Sequence, residues 1–127
     1  MKDTVLFEVD DAIATITLNR PERLNAINPP LLEALTAALQ QANDDPHINV
    51  IVLQGAGRAF CAGDDLREFD SQVGSKAETR AYIATLQDVT RQICLNHKIV
   101  IDALHGWAVG GGLEWVISCD WVVMADD

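Results

Sequence analysis

The chain is poor in positive charge. It carries 9 Lys+Arg against 19 Asp+Glu, a formal net charge of −10, and no run of lysines or arginines gathers on any segment. Such a balance excludes nucleic acid and anionic membrane surfaces as partners. A phosphorylated small molecule stays open, because Arg20, Arg23, Arg58 and Arg67 can act locally. Cysteine is scarce too. Cys61, Cys94 and Cys119 are odd in number and lack metal-ligand spacing, which argues against a disulfide framework and against a thiol metal site. No apolar run reaches the length of a membrane span, and the opening MKDTVLFEVD turns polar too soon for a signal peptide. Together these absences predict a cytoplasmic protein with reduced thiols.

What is present is an ordinary globular balance: 127 residues, 49% hydrophobic and 22% charged, enough for one domain over residues 1–127 with one sizeable core. Val5 to Val9 and Ile13 to Leu18 read as strands, the second alternating cleanly, with Asp10-Asp11 as turn chemistry between them. Asn19 to Asn28 is a polar loop with Leu24 and Ile27 inserted. Asn28 followed by Pro29 opens a helix, and Leu31, Leu35, Leu39 and Ala42 give it one apolar stripe. Ile48 to Leu53 is a continuous apolar strand, expected to be covered on both faces. Gly55-Ala56-Gly57 starts like a dinucleotide fingerprint, but Phe60 stands where the third glycine belongs, so that reading fails. In the following loop Gly63 permits unusual backbone angles, and Asp64-Asp65 is expected to cap a short helical turn from Leu66. Ser71 to Gly74 is loop. Ser75 to Glu78 is a capping box. Behind it Tyr82, Leu86, Val89 and Ile93 form a core stripe that needs no function, with Cys94 in or beside it. The order β-β-α-β-loop-α-β-α-β predicts an α/β protein with parallel pairing.

The segment Ile99 to Asp120 is the most informative. A strand, Ile99 to Leu104, leads through Gly106 to Gly110-Gly111-Gly112, and these run straight into Leu113-Glu114-Trp115-Val116-Ile117. Glycine is a poor helix former. Three together fit a backbone that must bend sharply or approach something closely. Behind them is a helix N-terminus, with free N–H groups and Glu114 in its first turn. A bare amide donor beside a carboxylate suits chemistry on a carbonyl. A tight corner with an ordinary first-turn acid explains the same residues equally well.

Three segments together resemble the enoyl-CoA hydratase/isomerase (crotonase) superfamily. They are NRPERLNA, Asn19 to Ala26; AFCAGDDL, Ala59 to Leu66; and GWAVGGGLE, Gly106 to Glu114. The resemblance covers almost the whole chain but only the amino-terminal half of the family pattern. It implies a crotonase-like spiral of ββα units, truncated before the C-terminal helical region, and a coenzyme A thioester as substrate. It implies no separate cofactor, since coenzyme A is part of the substrate, and no metal. By the resemblance, the backbone amides of Asp64 and Gly111 would hold the thioester oxygen as it becomes an enolate. Glu114 would be the first of two catalytic glutamates, activating the water that adds across the double bond. Arg23, Leu24 and Ala26 would border the coenzyme A, as would Ala62, Asp65 and Leu66, with Arg67 near phosphate. Trp107 and Gly110 would complete the substrate site.

The chain departs from the family in placing an acid at Asp64, whose side chain must then point away from the developing charge, and in the bulk of Trp115. Cys61 reads as a small buried thiol rather than a nucleophile, and His97 and His105 as structural. The second glutamate, about twenty positions after Glu114 by the resemblance, would lie beyond Asp127. The expectation is therefore that these 127 residues alone hydrate crotonyl-CoA little or not at all. The activity implied is hydration or dehydration of a 2-enoyl-CoA in a homo-oligomer, trimer or hexamer. The alternatives are an isomerase or another crotonase-type reaction, and a non-catalytic acyl-CoA-binding or assembly module.

Overall fold

The computed structural model describes residues 3–67 and 74–126. Strands β1 (Val5–Asp10) and β2 (Ile13–Leu18) form an antiparallel hairpin. Its turn places Asp11 at φ 56, a left-handed conformation that aspartate tolerates better than most residues. A single 3₁₀ turn, Pro21–Arg23, leads to α1 (Pro29–Asp44). Then follow β3 (Val50–Gly55), α2 (Lys76–Cys94), β4 (Ile99–Leu104), α3 (Gly111–Ser118) and β5 (Trp121–Met124). The five strands lie in the order β1-β2-β3-β4-β5, and every pair after the hairpin is parallel. Parallel neighbours need a crossover. The α1 helix supplies it between β2 and β3, α2 between β3 and β4, and α3 between β4 and β5.

Local chemistry starts the two long helices where the sequence predicts. The Asn28 side chain accepts from the Leu31 amide at 3.1 Å, with proline at the first helical positions. The Ser75 hydroxyl accepts from the Glu78 amide at 3.1 Å. The α1 stripe is fully buried at Leu31, Leu35, Leu39 and Ala42, each leucine contributing about 1.5–3 kcal/mol of transfer free energy. It packs with Ala14, Ile16 and Leu18 of β2 and Ile51 and Leu53 of β3 into one core. Tyr82, Val89 and Ile93 add the α2 side, and Trp115 and Val116 the α3 side.

Three expectations are corrected. The β3 strand begins at Val50 rather than Ile48: Ile48 is buried, but its amide turns back to the Asp45 carbonyl at 3.1 Å. Only one face of β3 is fully covered, since Ile51 and Leu53 are buried while Val50 and Val52 are half-buried. Cys94 is exposed at the end of α2, outside the core. The expected turn after Leu66 falls partly outside the described residues, as do residues 71–73 of the expected loop. Within them, Asp65 Oδ1 accepts from the Arg67 amide at 3.1 Å. Among the described residues no helix is long and apolar enough to cross a membrane.

Candidate active site

The polar loop after β2 is a scaffold. Arg20 donates its amide to Asn25 Oδ1 at 2.7 Å. Asn25 Nδ2 in turn donates to the carbonyls of Ala56 and Ala59, at 2.9 Å each. Leu24 and Asn25 both lie in the left-handed region, at φ 53 and 56, a conformation that these hydrogen bonds hold in place. The Arg20 guanidinium donates to the Ala26 carbonyl and, at 3.0 Å, to Asp65 Oδ2. Arg23 Nη1 approaches Asp65 Oδ1 at 4.0 Å. Arg20 and Asn25, buried at 8% and 0% exposure, thus tie residues 20–26 to the loop after β3. Neither stood among the predicted site residues. The signal that could have found them is a charged and an amide side chain in a loop rich in turn chemistry, where buried polar groups require partners.

That second loop runs as an extended segment between two others. On one edge the Cys61 amide donates to the Trp107 carbonyl at 3.1 Å, and the Val109 amide returns to the Cys61 carbonyl at 3.0 Å. On the other edge the Ile27 amide donates to the Gly63 carbonyl at 2.7 Å, and the Asp65 amide to the Ile27 carbonyl at 2.9 Å. In such a parallel bridge, the bonds go to the residues on either side of Asp64, so its own amide faces away from Ile27. Gly63 is at φ +88, and a methyl group there would lie 2.9 Å from the Val109 carbonyl oxygen. Gly110, at φ +56, would carry its own methyl 3.8 Å from Gly63 Cα. The glycines immediately preceding Asp64 and Gly111 therefore adjoin so closely that a methyl group on either would stand in van der Waals contact with the other's Cα. Among the described residues no acceptor meets the Asp64 amide, and Gly111 opens α3, where the helix itself provides its amide no acceptor.

The Asp64 carboxylate is engaged: Tyr82 of α2 donates its hydroxyl to Oδ1 at 2.7 Å. Burial, and after it the bond to Asp64, pushes the Tyr82 phenol well above its ordinary range. Tyr82 is buried as expected, but its hydroxyl reaches out of the core stripe to the loop. Glu114 lies on the exposed face of α3, its amide bonded to the Gly110 carbonyl at 3.0 Å. Thr90 of α2 donates to its carboxylate at 3.3 Å. Trp115 points the other way, 1% exposed in the core, so its bulk is absorbed by packing. Cys61 is fully buried, and burial raises its thiol to about 12, which leaves it protonated and unreactive. His105 Nε2 meets the Gly57 carbonyl at 2.6 Å, and the His97 amide donates to Asn43 at 2.8 Å.

A cavity of about 400 Å³ opens beside these loops, lined by Glu22, Arg23, Leu24, Ala26, Arg58, Ala62, Asp64, Asp65, Leu66 and Arg67. It gathers eight of the predicted residues and adds Glu22 and Arg58. Trp107, Gly110, Gly111 and Glu114 do not line it. Trp107 is 64% exposed and contributes its carbonyl to the amides of Phe60 and Cys61, while the glycines adjoin through Gly63. The Asp65 carboxylate, 4% exposed, faces Arg20. Among the described residues no cluster of His, Cys, Asp and Glu could hold a metal ion.

The arginine-bearing cavity opens beside a strand-to-helix loop of a sheet that is parallel after its first hairpin, the position where α/β proteins generally take small molecules. Comparison with known proteins makes the class specific. Residues 8–127 match the family described as Enoyl-CoA hydratase/isomerase, and the chain belongs to that family. A probable enoyl-CoA hydratase of Mycobacterium tuberculosis is 40% identical over 118 residues, covering 93% of this chain and 45% of the relative. The hydroxycinnamoyl-CoA hydratase-lyase of Pseudomonas fluorescens is 35% identical over 133 residues, with 98% and 46% covered. The crystal structure of an enoyl-CoA hydratase/carnithine racemase from Magnetospirillum magneticum superposes with a TM-score of 0.91 at 36% identity, covering 98% of this chain and 47% of that one. The chain thus has the α/β crotonase-type fold, and it spans about half the length of the curated relatives it matches.

Proposed function

We infer that the chain binds a 2-enoyl-CoA thioester and serves its hydration or the reverse dehydration through an enolate. The observation that carries this reading is the close approach of Gly63 and Gly110, where a methyl on either would meet the other's Cα within 3.8 Å, so that the loop ahead of Asp64 lies beside the helix start at Gly111. In this reading the amides of Asp64 and Gly111 donate to the thioester oxygen and strengthen as charge collects there, each contributing roughly a hundred- to a thousandfold in rate. Glu114 holds the water and takes its proton as the water's oxygen bonds to the β-carbon, the double-bond electrons pass into the enolate, and the enolate's α-carbon then takes up a proton; the base contributes about a hundred- to ten-thousandfold. Leu24, Ala26, Ala62 and Leu66 border the pantetheine, while Arg23, Arg58 and Arg67 face phosphate. Trp107 and Gly110 flank the acyl end. No separate cofactor enters. Hydratases among the relatives favour hydration over isomerisation. The reading extends to a domain within residues 1–127 that forms the acyl-CoA-binding part of a cytoplasmic homo-oligomer, a trimer or hexamer.

Calorimetry with acetyl-CoA tests the site directly. Saturable binding that free acetate does not reproduce is expected, and absence of any heat overturns the reading. Glu114→Gln should leave this binding intact while abolishing whatever hydration of crotonyl-CoA the protein performs.

A further inference from the structure

Tyr82 is the one tyrosine in the chain. Its place in the buried stripe of α2, 9% exposed, would suit a phenylalanine. What the stripe does not require is the hydroxyl, and that hydroxyl lies 2.7 Å from Asp64 Oδ1. Among the described residues no cation pairs with the Asp64 carboxylate, whereas the neighbouring Asp65 faces Arg20 at 3.0 Å. Asp64 is also the residue whose amide the reading above assigns to the thioester oxygen. A carboxylate free to rotate beside that oxygen would oppose the negative charge that the amides collect. A short O–H···O⁻ bond to a buried phenol fixes its direction and draws its charge toward the helix.

We propose that Tyr82 is a positioning residue, which holds the Asp64 carboxylate against α2 so that the Asp64 amide meets the thioester oxygen while the acid's charge stays turned from it. This rests on the reading under Proposed function.

The test uses acetyl-CoA labelled with ¹³C at the thioester carbonyl. Isotope-edited infrared difference spectra report polarisation of the bound carbonyl, a signature that packing does not set. In the parent protein the stretch moves to lower frequency on binding. In Tyr82→Phe that shift shrinks by about half or more and acetyl-CoA affinity falls about tenfold, while Tyr82→Phe combined with Asp64→Asn recovers both. A full shift in Tyr82→Phe, or a loss that Asp64→Asn does not repair, overturns the proposal. Should Tyr82→Phe fail to give a cooperative melt, 3-fluorotyrosine at this single position supplies the second test. Its ¹⁹F resonance moves when acetyl-CoA binds, and a resonance indifferent to acetyl-CoA overturns the proposal. Absence of acetyl-CoA binding by the parent overturns the site reading and this proposal together, whereas binding with an indifferent Tyr82 overturns this proposal alone.

Discussion

The guanidinium of Arg20 and the carboxylate of Asp65 meet at 3.0 Å across 45 positions of sequence, with side chains 10% and 4% exposed. The pair joins the two loops that build the cavity. Removing Arg20 takes the guanidinium at 3.0 Å from the buried Asp65 carboxylate but leaves Arg23 at 4.0 Å, so the cost stays below the roughly 3–5 kcal/mol of stranding a buried charge outright. Arg20→Met should lower the urea midpoint accordingly. Arg20→Met with Asp65→Leu removes both charges of the 3.0 Å pair and should cost clearly less than the sum of the single changes. Additive losses in the denaturation curves would show that the two groups do not act as a pair.

Asp102 on β4 is fully buried, and neither of its carboxylate oxygens has a hydrogen-bond partner among the described residues. Burial raises its pKa from 3.8 to about 7. The folded state therefore holds a proton that the unfolded chain releases. The stability that this proton confers is complete below about pH 4, declines as pH rises, and is gone above about pH 7. At about 1.4 kcal/mol per tenfold in proton concentration, the swing is on the order of 4 kcal/mol. Asp102→Ala should remove this slope and stand more stable than the parent at pH 8. Urea midpoints of both proteins from pH 4 to 8 check it, and parallel curves would place the ionisation of Asp102 outside the folding equilibrium.

Much of this architecture was legible because its determinants are local. Asn28 and Ser75 cap their helices through bonds to residues three positions on, and apolar spacing alone gave the buried stripe of α1. Alternation of strands and helices gave parallel pairing, since a crossover that contains a helix returns the chain to the starting edge of the sheet, so that the next strand runs in the same direction. What stayed hidden depends on partners far along the chain. Arg20 and Asn25 read as loop residues until Asp65, Ala56 and Ala59 are brought beside them. The Tyr82 hydroxyl is invisible in a helical stripe, because periodicity registers the ring and not its polar end. The start of β3 was misplaced because hydrophobicity reports that Ile48 is buried, and says nothing of which carbonyl its amide faces.

The three thiols should separate cleanly by reactivity. Cys94 is exposed at the end of α2. Burial raises Cys61 and Cys119 to about 12, which keeps both almost wholly as thiols at pH 8, and the thiolate is the reactive form. A disulfide reagent at that pH should label Cys94 within the mixing and early time points. It should reach Cys61 only at the rate of unfolding, with Cys119 far slower than Cys94. Peptide mapping of the labelled sites decides the order. Fast labelling of Cys61 in the folded protein would contradict its burial and reopen it as a nucleophile.

Gly63 stands where the two loops of the proposed site adjoin, and its part can be tested at one atom. At φ +88 a side chain is strained by about 1–2 kcal/mol, and the new methyl of Gly63→Ala would stand 2.9 Å from the Val109 carbonyl oxygen. That oxygen belongs to backbone already fixed by the bond between the Val109 amide and Cys61, so relief requires the 107–110 segment to move away from residues 61–65. Such movement separates the Asp64 amide from Gly111. Gly63→Ala should therefore melt earlier by several degrees, corresponding to about 1–3 kcal/mol, and bind acetyl-CoA at least tenfold more weakly at a temperature where it remains folded. Circular dichroism establishes the folded fraction, and calorimetry at that temperature measures the affinity. If the substituted protein is destabilised yet binds as tightly as the parent, the close approach of Gly63 and Gly110 serves the fold alone, and the thioester oxygen must be held elsewhere.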